Sequence, residues 1–188
     1  MKSRLTPLAL LAILALLLAA PSLEAAMVAK MGLPQLAHNA AHIFRATVMD
    51  VEQSSVALGG GELPVVVYTL KVDETFKGDF GSGKDAMVME VRMLGSIKDQ
   101  AVTVGDYQRV SALPDMPSLQ RGHDYVLFTS APSAIGLSTT VGLGQGSFRV
   151  FSQDHQEMVA NELDNAGIFA GPVTYAALAD AIHGAVGN

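Results

Sequence analysis

The chain has 188 residues, no cysteine and a formal charge of −6 at pH 7. The absence of cysteine excludes disulfides, thiol nucleophiles and thiolate metal sites. The acidic balance argues against nucleic acid and anionic membrane surfaces as partners, because both are negatively charged. A chain of this length can bury a core large enough to fold as one domain without cross-links.

The first 25 residues have the order of a secretory signal peptide. Lys2 and Arg4 precede a nearly unbroken apolar run at 5–20, and small residues surround a predicted cleavage site at Ala25 and Ala26. The run is shorter than the ~20 apolar residues of a membrane-spanning helix. We therefore expect cleavage rather than retention as an anchor, and a protein exported to the periplasm or secreted.

Cleavage leaves one predicted domain, 26–188, with no further membrane span. It removes two of the twelve basic and one of the eighteen acidic residues, so the formal charge becomes −7.

The apolar pattern of the mature chain is helical at its two ends and alternating between them. The segment 33–41 predicts a short helix, with Pro34 in its first turn. Thr174 is a predicted N-cap for a closing helix at 175–183, which Gly184 ends. Strands are predicted at 43–51, 63–76, 86–94, 123–130, near 102–104, and in one or two pieces within 137–151.

Glycine-rich "ALGGGELP", at 57–64, predicts the loop of a hairpin between the first two strands. Five or six short antiparallel strands with a helix at each end favour a mainly β fold. The first choice is a small closed or partly open barrel of the oligonucleotide/oligosaccharide-binding kind, and a β-sandwich is the alternative.

Three motifs carry a family resemblance. They are a T-x-x-V-x-x-x-x-K-G strand and turn, a G-x-x-Y-V-L-F strand, and a G-L-x-Q-G-x-F segment. Their matching residues are Thr69, Val72, Lys77 and Gly78; Gly122, Tyr125, Val126, Leu127 and Phe128; and Gly142, Leu143, Gln145, Gly146 and Phe148.

In this order the motifs resemble a group of exported bacterial proteins without an established function. The resemblance covers most of residues 33–182 and implies a small barrel, similar to tissue metalloprotease inhibitors and netrin-type modules. It supplies no catalytic residue. Those inhibitors act through an N-terminal cysteine, which this chain lacks, so their mechanism does not transfer.

The stretch "VGLGQGSF" places Gly142, Gly144 and Gly146 at alternate positions. In a strand they would leave one face without side chains. Phe148 and Val150 continue that face, so we expect it to point inward and to be covered by the chain itself. A ligand groove along the three glycines is the alternative.

Residues 78–85 match the spacing of a phosphate-binding loop at Gly78, Gly83 and Lys84. Asp85 replaces the Ser or Thr that would hold magnesium, and a strand follows where a helix is required, so we interpret the segment as a turn.

Five histidines were considered as metal ligands or bases. His38 and His42 have a spacing that could hold zinc on a helix, but Asn39 stands where the zinc pattern has glutamate. His123, His155 and His183 are scattered, and the neighbouring residues Asp124 and Asp154 would point to opposite faces of a strand.

Met87, Met89 and Met93 share a predicted strand face with Val91. Thioethers bind Cu(I), but this alternation is typical of a strand facing the core, so we expect all three in the core.

The sequence therefore predicts no catalytic residue, no metal site and no cofactor. Paired carboxylates for a hydrolase could come from Asp73, Glu74, Glu90 or Asp106, with no basis for choosing among them. The favoured function is an exported, non-enzymatic binding or structural module of the cell envelope, its partner an envelope protein or polymer. A protease-inhibitor-like or protease-associated module and a small periplasmic hydrolase are the alternatives. An inhibitor would present an ordered exposed loop, at 54–64 or 95–122.

Overall fold

The computed structural model describes residues 30–80, 88–97, 102–104, 107–109 and 116–187. The predicted signal peptide, with Ala25 and Ala26, lies outside them. The elements are α1 (Leu33–Asn39), β1 (His42–Leu58), β2 (Gly61–Lys77), β3 (Val88–Leu94), β4 (Val102–Val104), β5 (Tyr107–Arg109), β6 (Asp124–Thr129), a 3-10 helix (Leu143–Gly146), β7 (Ser147–Gln153), β8 (Gln156–Asn161), β9 (Val173–Thr174) and α2 (Tyr175–Val186).

The fold is mainly β, as predicted, but it has more strands than the five or six expected. Among the described residues, seven strands form one antiparallel sheet in the order β3-β2-β1-β6-β7-β8-β9, and β4 pairs with β5. The strands that were not predicted are β5, β8 and β9, and β8 is the longest of the three. Its hairpin turn, Asp154 and His155, has φ of 50° and 63°, and both flanking strands are polar and exposed there. The apolar alternation that signals a strand is therefore weak.

The sheet is built on the long hairpin of β1 and β2, which pair as far as Leu58 opposite Gly61. Gly59 and Gly60 make a two-residue turn with φ of 58° and 81°. Both angles lie in the left-handed region that glycine enters without steric penalty. The loop predicted at 57–64 is therefore too long, because the strands continue almost to its centre.

Both helices pack on one face of the sheet, where they form the helix-side core. Its buried members are Leu33, Leu36, Ala37, Ala40, Ile43, Val126, Phe128, Phe148, Val150, Val159, Leu178 and Ile182. Lys77 donates hydrogen bonds to the carbonyls of Ala37 and His38 at 2.7 and 3.3 Å, at the C-terminal end of α1. The helix macrodipole favours a cation there.

The second helix begins at its predicted N-cap and runs past its predicted end. The Thr174 hydroxyl accepts a hydrogen bond from a backbone N–H of the first turn at 3.2 Å. The helix then continues through Gly184 to Val186, so the predicted stop was wrong. A glycine inside a helix costs only ~1 kcal/mol, and burial of Leu178 and Ile182 offsets that.

The opposite face of β3, β2, β1 and β6 carries the strand-side core. Its buried members are Phe44, Ala46, Val48, Val66, Tyr68, Leu70, Val72, Val91, Met93, Leu119, Tyr125 and Leu127. Met93 is buried and Met89 partly buried in this core, as the alternation predicts, while Met87 lies outside the described residues. The segment 116–122 crosses this face, inserts Leu119 and donates the Gln120 N–H to the hydroxyl of Tyr125.

The two outermost strands, β3 and β9, are not paired with each other in the part of the chain that the structure describes, so the sheet is open. Thr129, the last residue of β6, bridges to Thr140. The Ser138 N–H then donates to the carbonyl of Arg92 on β3 at 2.8 Å. This single bond links β3 to the chain that follows β6.

The strand predicted across the glycine stretch is wrong for its first part. Residues 141–146 form a turn and the 3-10 helix, and β7 begins only at Ser147. Gly142 and Leu143 have φ of 65° and 55°. A Cβ on Gly146 would lie 2.3 Å from the carbonyl oxygen of Val141. The chain folds back on itself too tightly here for a strand.

Candidate functional site

A charged cluster lies where α2 meets the sheet, and Arg45 of β1 is at its centre. Its guanidinium makes two hydrogen bonds to Glu157, at 2.7 and 3.0 Å, and one to Asp124 at 3.1 Å. The ring of Tyr175 packs on the same guanidinium, 4.5 Å from Cζ to the ring centroid. The Tyr175 hydroxyl donates in turn to Glu74. The cluster therefore joins the first residue of α2 to residues of four strands, β1, β2, β6 and β8.

A second part of the cluster surrounds Thr47. Its hydroxyl lies 2.9 Å from Asp73 and 2.8 Å from Asp124, and Lys71 donates to Asp73 at 2.7 Å. A hydroxyl carries one proton, so it donates to one of the two carboxylates at a time. The carboxylates are held together mainly by the cations beside them.

The cluster changes the ionisation of its members. The hydrogen bonds and charge of Arg45 lower the pKa of Glu157. Partial burial acts to raise the pKa of Asp73, but hydrogen bonds from Lys71 and Thr47 outweigh it and lower that pKa overall. Burial, together with the carboxylate of Glu74, raises the pKa of Tyr175. All these shifts favour ionised carboxylates and a neutral phenol at pH 7.

Of the carboxylates considered for a hydrolase, Asp73 and Glu74 come together in this cluster. Glu90 lies on β3 and pairs with Arg92 at 3.1 Å, and Asp106 lies outside the described residues. The cluster holds its carboxylates against Arg45, Lys71, Thr47 and Tyr175.

The histidines are dispersed. His38 lies in α1, whereas His42 begins β1 and packs edge-on against Phe80 with ring centroids 5.4 Å apart. Among the described residues no three His, Asp or Glu side chains are placed to hold a metal ion. Likewise, no helix in the described part of the chain has the length and apolar character to cross a bilayer.

Gly78, from the segment with phosphate-loop spacing, has φ of 107°, and a Cβ there would lie 2.5 Å from the ring of His42. This close approach explains why position 78 is a glycine. Gly83, Lys84 and Asp85 lie outside the described residues.

Neighbouring parts of the chain lie close to the three glycines of the predicted groove. A Cβ on Gly142 would lie 3.3 Å from Leu36, and one on Gly144 would lie 2.8 Å from a carboxylate oxygen of Glu162. Ligand binding at these glycines stays a prediction.

An open cleft of about 530 Å³ lies beside this segment, between the sheet and the chain at 118–120. Its floor is Arg149 and Phe151 of β7, and its walls include Ser118, Gln120 and the acidic residue Glu162. Arg149 lies opposite Tyr125 on β6 and opposite Ala160 on β8. The small side chain of Ala160 leaves room on one side of the guanidinium.

Arg149 is the one arginine without an ion pair among the four whose side chains are described. Arg45, Arg92 and Arg121 lie 3.1, 3.1 and 3.4 Å from the carboxylates of Asp124, Glu90 and Asp50. Arg149 is exposed and makes no such contact within the described part of the chain. In an acidic protein, an unpaired guanidinium in a cleft is a group available for an anionic ligand.

Sequence reasoning did not identify this cleft. In "SFRVF" the arginine alternates with Phe148 and Val150, which is the pattern of a solvent-facing strand position. Gln120 belongs to an irregular segment, and only the fold brings it close to β7. The one sequence feature that could have pointed to Arg149 as a binding residue was the rarity of arginine in an acidic chain.

No family model and no curated protein matches the chain.

Proposed function

We propose that the protein is an exported, non-enzymatic binding module of the cell envelope, and that the cleft beside Arg149 is its ligand site. The observation that carries the proposal is the unpaired, exposed guanidinium on the cleft floor. Polar side chains beside a half-buried aromatic ring are the usual lining of a binding site. Export rests on the signal-peptide pattern of the first 25 residues.

Part of this proposal is a partly open barrel. The hydrogen bond from Ser138 to Arg92 supports it, because it joins the free edge of β3 to the chain after β6. The strand-side core lies on one face of the four strands that such a barrel would use.

Capture from envelope extract tests the binding function. The immobilised protein is compared with Arg149→Glu and with Arg121→Glu, which makes the same charge change outside the cleft. We expect wild type and Arg121→Glu to retain the same envelope component and Arg149→Glu to lose it. Equal capture by all three would show that the cleft is not the site.

A protease-inhibitor-like module is the second candidate, and the hairpin of β1 and β2 favours it. Its distal part is ordered, and nearly every residue at 54–62 is exposed. Leu58, at its tip, has 51% of its surface exposed. The test is inhibition of envelope proteases by wild type and by a variant in which a two-residue turn replaces 56–63. Inhibition by wild type alone would favour this candidate over the cleft.

A further inference from the structure

We propose, on the basis of the binding function above, that the cleft takes an acidic glycan and that Arg149 holds a carboxylate of its sugar units. The three other arginines with described side chains already have carboxylate partners within the protein. Among these four arginines, Arg149 is therefore the one whose guanidinium an external carboxylate can reach without displacing an internal one. Its planar fork of N–H donors matches a carboxylate bidentately.

The position of the cleft determines how a ligand can be recognised. The backbone of β7 is hydrogen-bonded to β6 on one side and to β8 on the other. An extended peptide cannot add to it as a further strand, because no free ladder is available. Side chains must carry the recognition.

The side chains around Arg149 suit a polyhydroxylated ligand. Ser118 and Gln120 are exposed on one wall and offer a hydroxyl and an amide. Ser147 also lines the cleft but is buried, and Phe151 offers a half-buried ring on which the apolar face of a sugar can lie. A chain of hydroxyls with regularly spaced carboxylates satisfies both the hydrogen-bonding groups and the guanidinium.

The experiment uses the protein purified in its naturally processed form. Titration calorimetry compares three probes: a hexamer of galacturonic acid, the same hexamer with its carboxylates methyl-esterified, and hexaglutamate. We expect the acidic glycan to bind and the ester to bind at least tenfold more weakly. Arg149→Gln should weaken binding of the acidic glycan at least tenfold, and Arg149→Lys should weaken it less. Arg121→Gln should leave the affinity unchanged.

The outcomes separate this inference from the proposed function. Equal binding of acid and ester, or binding that Arg149→Gln does not change, overturns the carboxylate assignment. Binding of hexaglutamate alone shows a peptide ligand and overturns the glycan class. If no probe binds while envelope capture still depends on Arg149, only the ligand class is wrong. If envelope capture does not depend on Arg149 either, both the ligand class and the proposed function are wrong.

Discussion

At the scale of single residues, Arg45 connects β1, β6, β8 and α2, and its side chain is only 16% exposed. Replacing it with Gln leaves Asp124 and Glu157 without their cation and the ring of Tyr175 without the guanidinium that packs on it. We expect Arg45→Gln to lower the free energy of unfolding by about 1–3 kcal/mol. Arg92→Gln, which breaks an exposed pair, should lower it by less than about 0.5 kcal/mol. Urea denaturation checks both values, and equal losses would contradict a special role for Arg45.

The same cluster makes stability depend on acid pH. The pKa of Asp73 and that of Glu157 are lowered from ordinary values of 3.8 and 4.5. A carboxyl with a lowered folded-state pKa contributes stability above its unfolded value and loses it as the pH falls through the folded one. We expect the Tm to fall as the pH drops below about 4.5, and to fall less steeply in Arg45→Gln, because that variant has already lost the hydrogen bonds and the charge that lower the pKa of Glu157. Parallel curves for the two proteins would contradict this assignment.

Gly146 and Gly144 provide a matched pair. A Cβ on Gly146 would meet the backbone oxygen of Val141 at 2.3 Å, whereas one on Gly144 would meet a side-chain carboxylate oxygen of Glu162 at 2.8 Å. We expect Gly146→Ala to cost at least about 2 kcal/mol, and Gly144→Ala clearly less, because a side chain can move and this backbone cannot. Thermal melts of both variants check the order, and a smaller loss for Gly146→Ala would contradict the packing described here.

At the scale of elements, the hairpin of β7 and β8 turns through two non-glycine residues in the left-handed region, Asp154 and His155. Two-residue turns of this shape favour Gly at the second position. We expect His155→Gly to raise the free energy of unfolding by about 0.5–1 kcal/mol, because it relieves the steric conflict of a side chain at positive φ. Gly60→Ala, the reverse change in the other hairpin, should lower it by a similar amount. Chemical denaturation decides, and a destabilised His155→Gly would contradict the strain argument.

Elements whose apolar residues recur with a clear period could be predicted from the sequence. β2 alternates strongly, and its residues Tyr68 and Leu70 are buried on one face as expected. The helix at Leu33 and the N-cap at Thr174 were also correct. These signals are local, since they depend only on spacing within one element.

Features that depend on several elements could not be predicted in the same way. Arg45 and Glu157 are 112 positions apart and lie on β1 and β8, with β6 and β7 between these two strands, so no local pattern shows that they meet. The strand predicted across the glycine stretch was wrong for a related reason. Its period of two suggested a strand, but close approach to Val141 and Glu162, which no local pattern shows, explains the glycines.

At the scale of the whole molecule, two hydrophobic cores lie on opposite faces of one sheet. Neighbouring residues of the same strands enter different cores: Ile43 and Phe44 in β1, and Val126 and Leu127 in β6. All four are fully buried. Neither core can lose its packing while these strands keep their place in the other, so we expect the two cores to unfold together.

A matched pair of substitutions tests this cooperativity. Leu178 lies in the helix-side core and Leu70 in the strand-side core, and both are 0% exposed. We expect Leu178→Ala and Leu70→Ala each to cost about 2–5 kcal/mol, from lost transfer free energy and the cavity left behind. Each variant should shift one common transition, seen alike by far-UV circular dichroism and by the near-UV signal of Tyr68 and Tyr125 in the strand-side core. Two transitions, each moved by only one of the variants, would show that the faces of the sheet unfold independently.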